Sequence, residues 1–194
     1  FKDEIESQMD TALKKLGELS NASNGSDKDY VERVVNFFKA NPDILLLNAR
    51  DLYEKREVVG EIPLVPKIVK GQARQVKSEI KNKIIIALGY SKLRSSFYPK
   101  YFKEIGIKTC VYCNSQLTIS ASNTKKNGFS AKFDVDHYLS KDDYPFFSIS
   151  LFNLYPACAT CNRLKGKKKV EFNLYTNEIS KTKKSDFAFK IDSN

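Results

Sequence analysis

The sequence predicts an α+β protein: a mostly helical region over about residues 1–105, a small mixed module over about 106–170, and a C-terminal extension over 171–194. Three observations predict it. Apolar residues recur at three- and four-residue spacing through the first half. After Gly106 that periodicity gives way to short alternating and β-rich runs. All four cysteines fall in the second half as two C-x2-C pairs, Cys110 with Cys113 and Cys158 with Cys161.

In chain order, Ile5, Met9, Leu13, Leu16 and Leu19 form the first helical stripe. Ser20 to Asp29 is dense in turn formers, and Asp27 or Asp29 is placed to cap the next helix. Val31, Val34, Val35 and Phe38 mark that helix. It stops near Asn41-Pro42, because a residue before proline avoids the helical region. A third helix is expected from Asp43 to about Val58, and Ile62 to Pro66 is extended around its two prolines. From Gly71 to Leu88 the spacing of Val76, Ile80, Ile84 and Leu88 predicts a helix, with Lys70, Arg74, Lys77 and Lys81 on another face. Ser91 is expected to cap a helix carrying Leu93, Phe97, Tyr101 and Phe102, closed by Gly106. Ala131 to Asp136 alternates as a strand does, Phe146 to Tyr155 holds β-formers, and a short helix is expected from Ala159 through Lys168.

Lys and Arg total 33 against 23 Asp and Glu, a net charge of +10. The excess is uneven. Residues 67–103 carry ten basic and one acidic side chain, and residues 163–184 carry eight and two. The segment between, 104–162, balances at five and five and holds every cysteine and the only histidine. Such blocks suit a polyanion, most simply nucleic acid. A composition of 41% hydrophobic and 29% charged residues is that of a globular chain. No run approaches the ~18 apolar residues of a membrane span. The sequence begins at Phe1 with no recognisable secretory leader, so a cytoplasmic location is expected.

Two C-x2-C pairs with no cysteine left over are a zinc signature, since each pair brings two thiolates to one tetrahedral ion. Four thiolates close the coordination sphere, so the ion would be structural. Disulfides, a redox pair and buried thiols are the alternatives. The 44 residues between the pairs, 114–157, exceed an ordinary ribbon hairpin, so something is inserted within the closed loop. That insert contains Phe133-Asp-Val-Asp-His137. Alternation puts Asp134 and Asp136 on one face of a strand. Paired carboxylates suit a hard cation such as Mg²⁺, and a neutral imidazole suits a general base near pH 7. Asp142 and Asp143 look like part of a turn.

The run FDVDHYLSKDDYPFF…LFNLYPACATCNRLKGKK resembles the HNH, or ββα-metal, endonucleases. In that family a histidine follows an acidic residue at the end of the first strand. An asparagine stands near the second strand, and a histidine or asparagine lies on the helix, often as C-x-x-C-[HN]-x-x-K. Here His137, Asn153 and Asn162 stand in that order, with both cysteine pairs where zinc-bearing members have theirs. Asn162 replaces the helix histidine, a variant found in the HNH domain of RNA-guided DNA nucleases, whose DVDH run looks the same. The resemblance covers about residues 108–168.

It implies that Cys110, Cys113, Cys158 and Cys161 bind structural Zn²⁺, and that Asp136 and Asn162 hold one catalytic Mg²⁺ or Mn²⁺. His137 would take a proton from the attacking water, and Asn153 would hold the loop between the strands so that the ring is aimed. Asp134 is near enough in sequence to help position the site. Arg163, Lys165, Lys167, Lys168 and Lys169 would lie along the DNA backbone, giving affinity without base readout. The sequence is also similar to nuclease components of bacterial antiphage defence systems of the Septu type, often encoded beside an ATPase. That likeness implies an ATPase partner, with the helical half as its docking surface. A zinc-stabilised nucleic-acid-binding module without catalysis, and an RNA-directed nuclease or toxin, are the other readings.

Overall fold

In the computed structural model, which describes residues 2–123, 128–168, 170 and 173–175, the first stripe becomes α1 (Lys2–Asn21). It packs on α2 (Gly25–Ala40), which ends before Asn41-Pro42. Neither Asp27 nor Asp29 caps that helix. Its N-cap is Asn24, and Asp27 sits in the first turn, where its carboxylate accepts from Ser78 Oγ at 3.0 Å. The helix expected from Asp43 to Val58 is broken into a single 3₁₀ turn, Ile44–Leu46, and α3 (Ala49–Lys55). The break comes at Leu47, whose ψ of 126° is extended, and at Asn48, whose side chain caps α3 by accepting from the amides of Arg50 and Asp51.

The helix expected from Gly71 begins instead at Ile80. Before it, β1 (Leu64–Val69) and β2 (Gln72–Lys77) form an antiparallel ribbon. Lys70 and Gly71 have φ of 51° and 77°, the double left-handed turn that joins twisted strands tightly. That turn, rather than the apolar spacing, decides the segment. Ile80, Ile84 and Ala87 of α4 (Ile80–Ala87) are buried, and because Lys70 lies in the turn and Arg74 and Lys77 on β2, the basic helix face from Lys70 to Lys81 does not exist. The next expected helix is two: α5 (Tyr90–Ser96), whose N-cap is Gly89 with Ser91 inside, and α6 (Tyr98–Glu104), restarted with Pro99 in its first turn.

Three two-stranded sheets make up the β-structure of the described residues. Besides the ribbon, β3 (Ser120–Asn123) pairs with β4 (Gly128–Ala131), and β5 (Asp134–His137) pairs with β6 (Leu154–Ala157). Between β5 and β6 the run from Phe146 forms 3₁₀ turns at Pro145–Phe147 and Leu151–Asn153 rather than strand. The last helix, α7 (Ala159–Lys165), packs on β5 and stops short of Lys168 at Gly166.

One core joins the first and second halves. Leu16, Val34, Phe38, Ile84, Phe146, Phe147 and Leu154 belong to the same buried cluster. Phe37 meets Phe146 and Phe147 edge-on at 5.4 and 5.9 Å between ring centres, and Ser150 Oγ donates to Ile44 O at 3.0 Å. Burying each such side chain is worth ~1.5–3 kcal/mol. A separate small cluster holds Cys110, Ala157 and Cys158. Among the described residues no helix is long and apolar enough to cross a membrane.

Candidate functional site

Cys110, Cys113, Cys158 and Cys161 are free thiols whose sulfur atoms all lie within 4.8 Å of one another. Zn–S bonds of about 2.3 Å place tetrahedral sulfurs about 3.8 Å apart, so one ion fits the group. The first pair sits on a turn. Cys110 N donates to Gln116 O at 2.8 Å, Asn114 N donates to Cys110 O at 2.8 Å, and Asn114 has φ 50°. Cys158 is the N-cap of α7, its sulfur accepting from Cys161 N at 3.4 Å. The two pairs are tied by Val111 N donating to Pro156 O. Backbone hydrogen bonds at Ser115 and Gln116 lower the Cys113 thiol to about 6, favouring thiolate. Burial, then the neighbouring cysteines, push Cys161 up.

The acidic residues and the histidine stand on opposite faces of β5, where Asp136 faces Tyr155 and His137 faces Leu154 in register. The His137 ring is 5% exposed and packs on Tyr90 at 5.2 Å between centres. Its Nε2 lies 3.0 Å from Ser148 O. A carbonyl only accepts, so Nε2 carries the proton and Nδ1 is left with the lone pair. Burial, then the cations of Lys141, Lys165 and Arg94, lower the ring to about 3, outweighing the Ser148 bond. It is neutral at neutral pH.

Asp136, 7% exposed, accepts from Tyr112 Oη and from Lys165 Nζ, the latter at 2.9 Å. The same ammonium donates to His137 O at 2.8 Å. Asn162 donates to Asp134 Oδ2 at 3.0 Å rather than to Asp136, and Asp134 also pairs with Arg94 at 3.3 Å. The structure therefore brings Asn162 to Asp134 and Lys165 to Asp136. Among the described residues the four cysteines are the single cluster of three or more metal-ligating side chains, so Asp134, Asp136 and His137 do not converge on one point.

Asn153 is fully buried. Its Oδ1 accepts from Leu139 N at 2.7 Å, and its Nδ2 donates to Leu139 O and Phe147 O at 3.1 and 3.0 Å, clasping the loop between β5 and β6 from inside. Asn153→Ala is expected to cost about 3 kcal/mol, because three buried backbone groups lose their partners. Urea denaturation checks this, and an unchanged midpoint would show that the loop needs no clasp.

The basic run divides. Lys165 was expected along a phosphate backbone, yet its side chain is 7% exposed and turned inward on Asp136. Arg163, Lys167 and Lys168 are exposed, and Lys167 pairs with Asp142 at 2.7 Å. Lys169 lies outside the described residues, as does most of the extension from 171. A cavity of about 190 Å³ opens beside Lys165, lined also by Arg56, Lys167, Lys168, Tyr138 and Tyr144. Sequence reasoning missed Tyr112, Arg94 and Tyr90. Tyr112 had a signal, its place inside the first cysteine pair, whereas Arg94 and Tyr90 lie forty or more residues from what they touch. Asp142 and Asp143, read as a turn, hold Lys81, Lys167 and Lys77.

The chain is similar to the Septu protein PtuB of Bacillus thuringiensis, 35% identical over 63 residues, which is 32% of this chain and 21% of that protein. It thus spans about a fifth of that relative's length. No family model and no solved structure matches.

Proposed function

We propose that this chain is a metal-dependent endonuclease of the HNH, ββα-metal type, cutting phosphodiester bonds of DNA in bacterial antiphage defence beside an ATPase partner. The supporting observation is His137: a lone histidine beside an acidic strand face, its Nε2 engaged by Ser148 O so that Nδ1 carries the lone pair. The likeness to the Septu protein supports the defence setting. In this reading residues 106–170 form the nuclease module.

Hydrolysis needs a deprotonated water in line with the leaving oxygen and positive charge on the phosphate. His137 Nδ1 takes the water's proton. Asp134, Asp136 and the Asn162 amide oxygen are hard oxygen donors that suit Mg²⁺ or Mn²⁺, which supplies charge to the phosphate when bound. Asp136 and Asn162 would hold that ion, and Lys165, which pairs with Asp136 at 2.9 Å, would then be free to turn its ammonium toward phosphate. Arg163, Lys167 and Lys168 hold the flanking backbone. Asn153 keeps the loop, and with it Ser148 O, where the ring needs it.

One observation favours a second reading. Lys165 neutralises Asp136 in a pair nearly shut from water, as a purely structural zinc-stabilised nucleic-acid binder would have it. Supercoiled plasmid separates the two. Zinc-loaded protein is expected to nick it with added Mg²⁺ or Mn²⁺ and not without, in parallel with single-stranded DNA and RNA. Binding of all three with no cleavage, ATPase partner included, would establish the binding module instead. Cleavage of RNA alone would reassign the substrate.

A further inference from the structure

We propose that the β1–β2 ribbon is an arm that enters a groove of duplex nucleic acid and holds the duplex beside the acid–histidine site. The second clause rests on the nuclease reading; the first does not. The ribbon stands out into solvent, with Leu64 57% and Ile68 76% exposed on one face and Lys67 and Arg74 exposed on the other. It is rooted in the core by buried Ile62 and Ser78, whose amide closes the base on Pro63 O at 2.7 Å. Six residues per strand at about 3.3 Å each give a length of about 20 Å, and a major groove about 12 Å wide admits a two-stranded ribbon.

Charge chooses the occupant. Residues 62–78 contain Lys67, Lys70, Arg74 and Lys77 and no Asp or Glu. Register sets Lys67 directly opposite Arg74 on one face. Like charges in that position repel in water, and a backbone phosphate at each of them turns repulsion into attraction. Among the described residues, Lys67, Lys70 and Arg74 have no carboxylate partner, and Arg74 donates only to the Gln72 side chain at 3.0 Å. The opposite face presents Leu64, Pro66 and Ile68, which suit apolar edges such as the thymine methyl.

The ribbon is also joined to the candidate site. At its root Lys77 pairs with Asp143, and Lys81 and Lys167 both pair with Asp142, at 3.4 and 2.7 Å. The loop between β5 and β6 thereby ties the ribbon to the basic run that follows α7, so one duplex can follow both.

The test uses the full zinc-loaded chain and a short fluorescent duplex of mixed sequence, without Mg²⁺ or Mn²⁺, over a series of salt concentrations. The double substitution Lys67→Gln, Arg74→Gln is expected to reduce the slope of log affinity against log salt by about two, at ~0.9 per phosphate contact. Its melting temperature should hold or rise, since a repelling pair is gone. Ile68→Ser is expected to weaken binding with the slope unchanged. Wild-type slope and affinity in the double variant would overturn the arm, as would a wild type that does not bind duplex. Loss of ATPase-partner capture with duplex binding intact would overturn it too, assigning the ribbon to protein. Metal-dependent nicking with a silent ribbon sinks the arm alone; duplex binding through the ribbon with no cleavage of any substrate sinks the nuclease alone.

Discussion

On the proposed nuclease reading, hydrolysis by His137→Ala is expected to fall about 10²- to 10⁴-fold, the usual worth of a positioned general base, while duplex binding survives. The difficulty is that the ring is also structural. It is buried, packs on Tyr90 and satisfies Ser148 O, so truncation leaves a hole and an unpaired carbonyl. His137→Gln separates the roles. A glutamine amide can still donate to Ser148 O but cannot take a proton at neutral pH. Equal loss of cleavage in both variants, with the glutamine protein melting closer to wild type, identifies proton transfer as the function lost. Cleavage retained by the glutamine variant would make the histidine a packing residue. Neutrality alone does not decide this, because the burial and the cations of Lys141, Lys165 and Arg94 that lower the ring to about 3 also make it a weaker base.

What the sequence made legible follows from range. The cysteine pairs were visible because each is a local spacing, and so was Asp136-His137, two adjacent letters on opposite faces of one strand. The first two helices were visible through their apolar period. The ribbon was not, because Val76, Ile80, Ile84 and Leu88 fit a helical period while a two-residue turn at Lys70-Gly71 overrides it. Within the site, Lys165 was read as a solvent-facing cation, since nothing in the run from Arg163 to Lys168 says which lysine turns inward. That depends on where α7 lies against β5, and so on the cysteine cluster that sets its start. Asn162 reaching Asp134 instead of Asp136 has the same origin.

Removing zinc is expected to undo the site without unfolding the protein. Structural zinc contributes ~10–16 kcal/mol in isolated finger peptides, enough to unfold them. Here the load is divided. Val135, Phe146, Phe147 and Leu154 belong to the core shared with α2 and α4, whereas Cys110, Ala157 and Cys158 form their own cluster. Apart from the Lys165 side chain, the helix α7 buries none of its seven residues fully. It is held by Cys158 and Cys161 at its start, the Asn162–Asp134 bond and the Lys165–Asp136 pair. A helix that short does not persist alone in water. Chelation, or Cys158→Ser, should therefore strip hydrogen-exchange protection from residues 109–117 and α7 while leaving α2 and α4 protected. Cleavage should vanish with it, because Asn162 and Lys165 leave the acidic face, and Zn²⁺ should restore it where Mg²⁺ cannot. Full protection and full cleavage after metal analysis shows no zinc would remove the ion from the account. Collapse of protection in α2 as well would mean that the cysteine cluster supports the whole core rather than the placement of one helix.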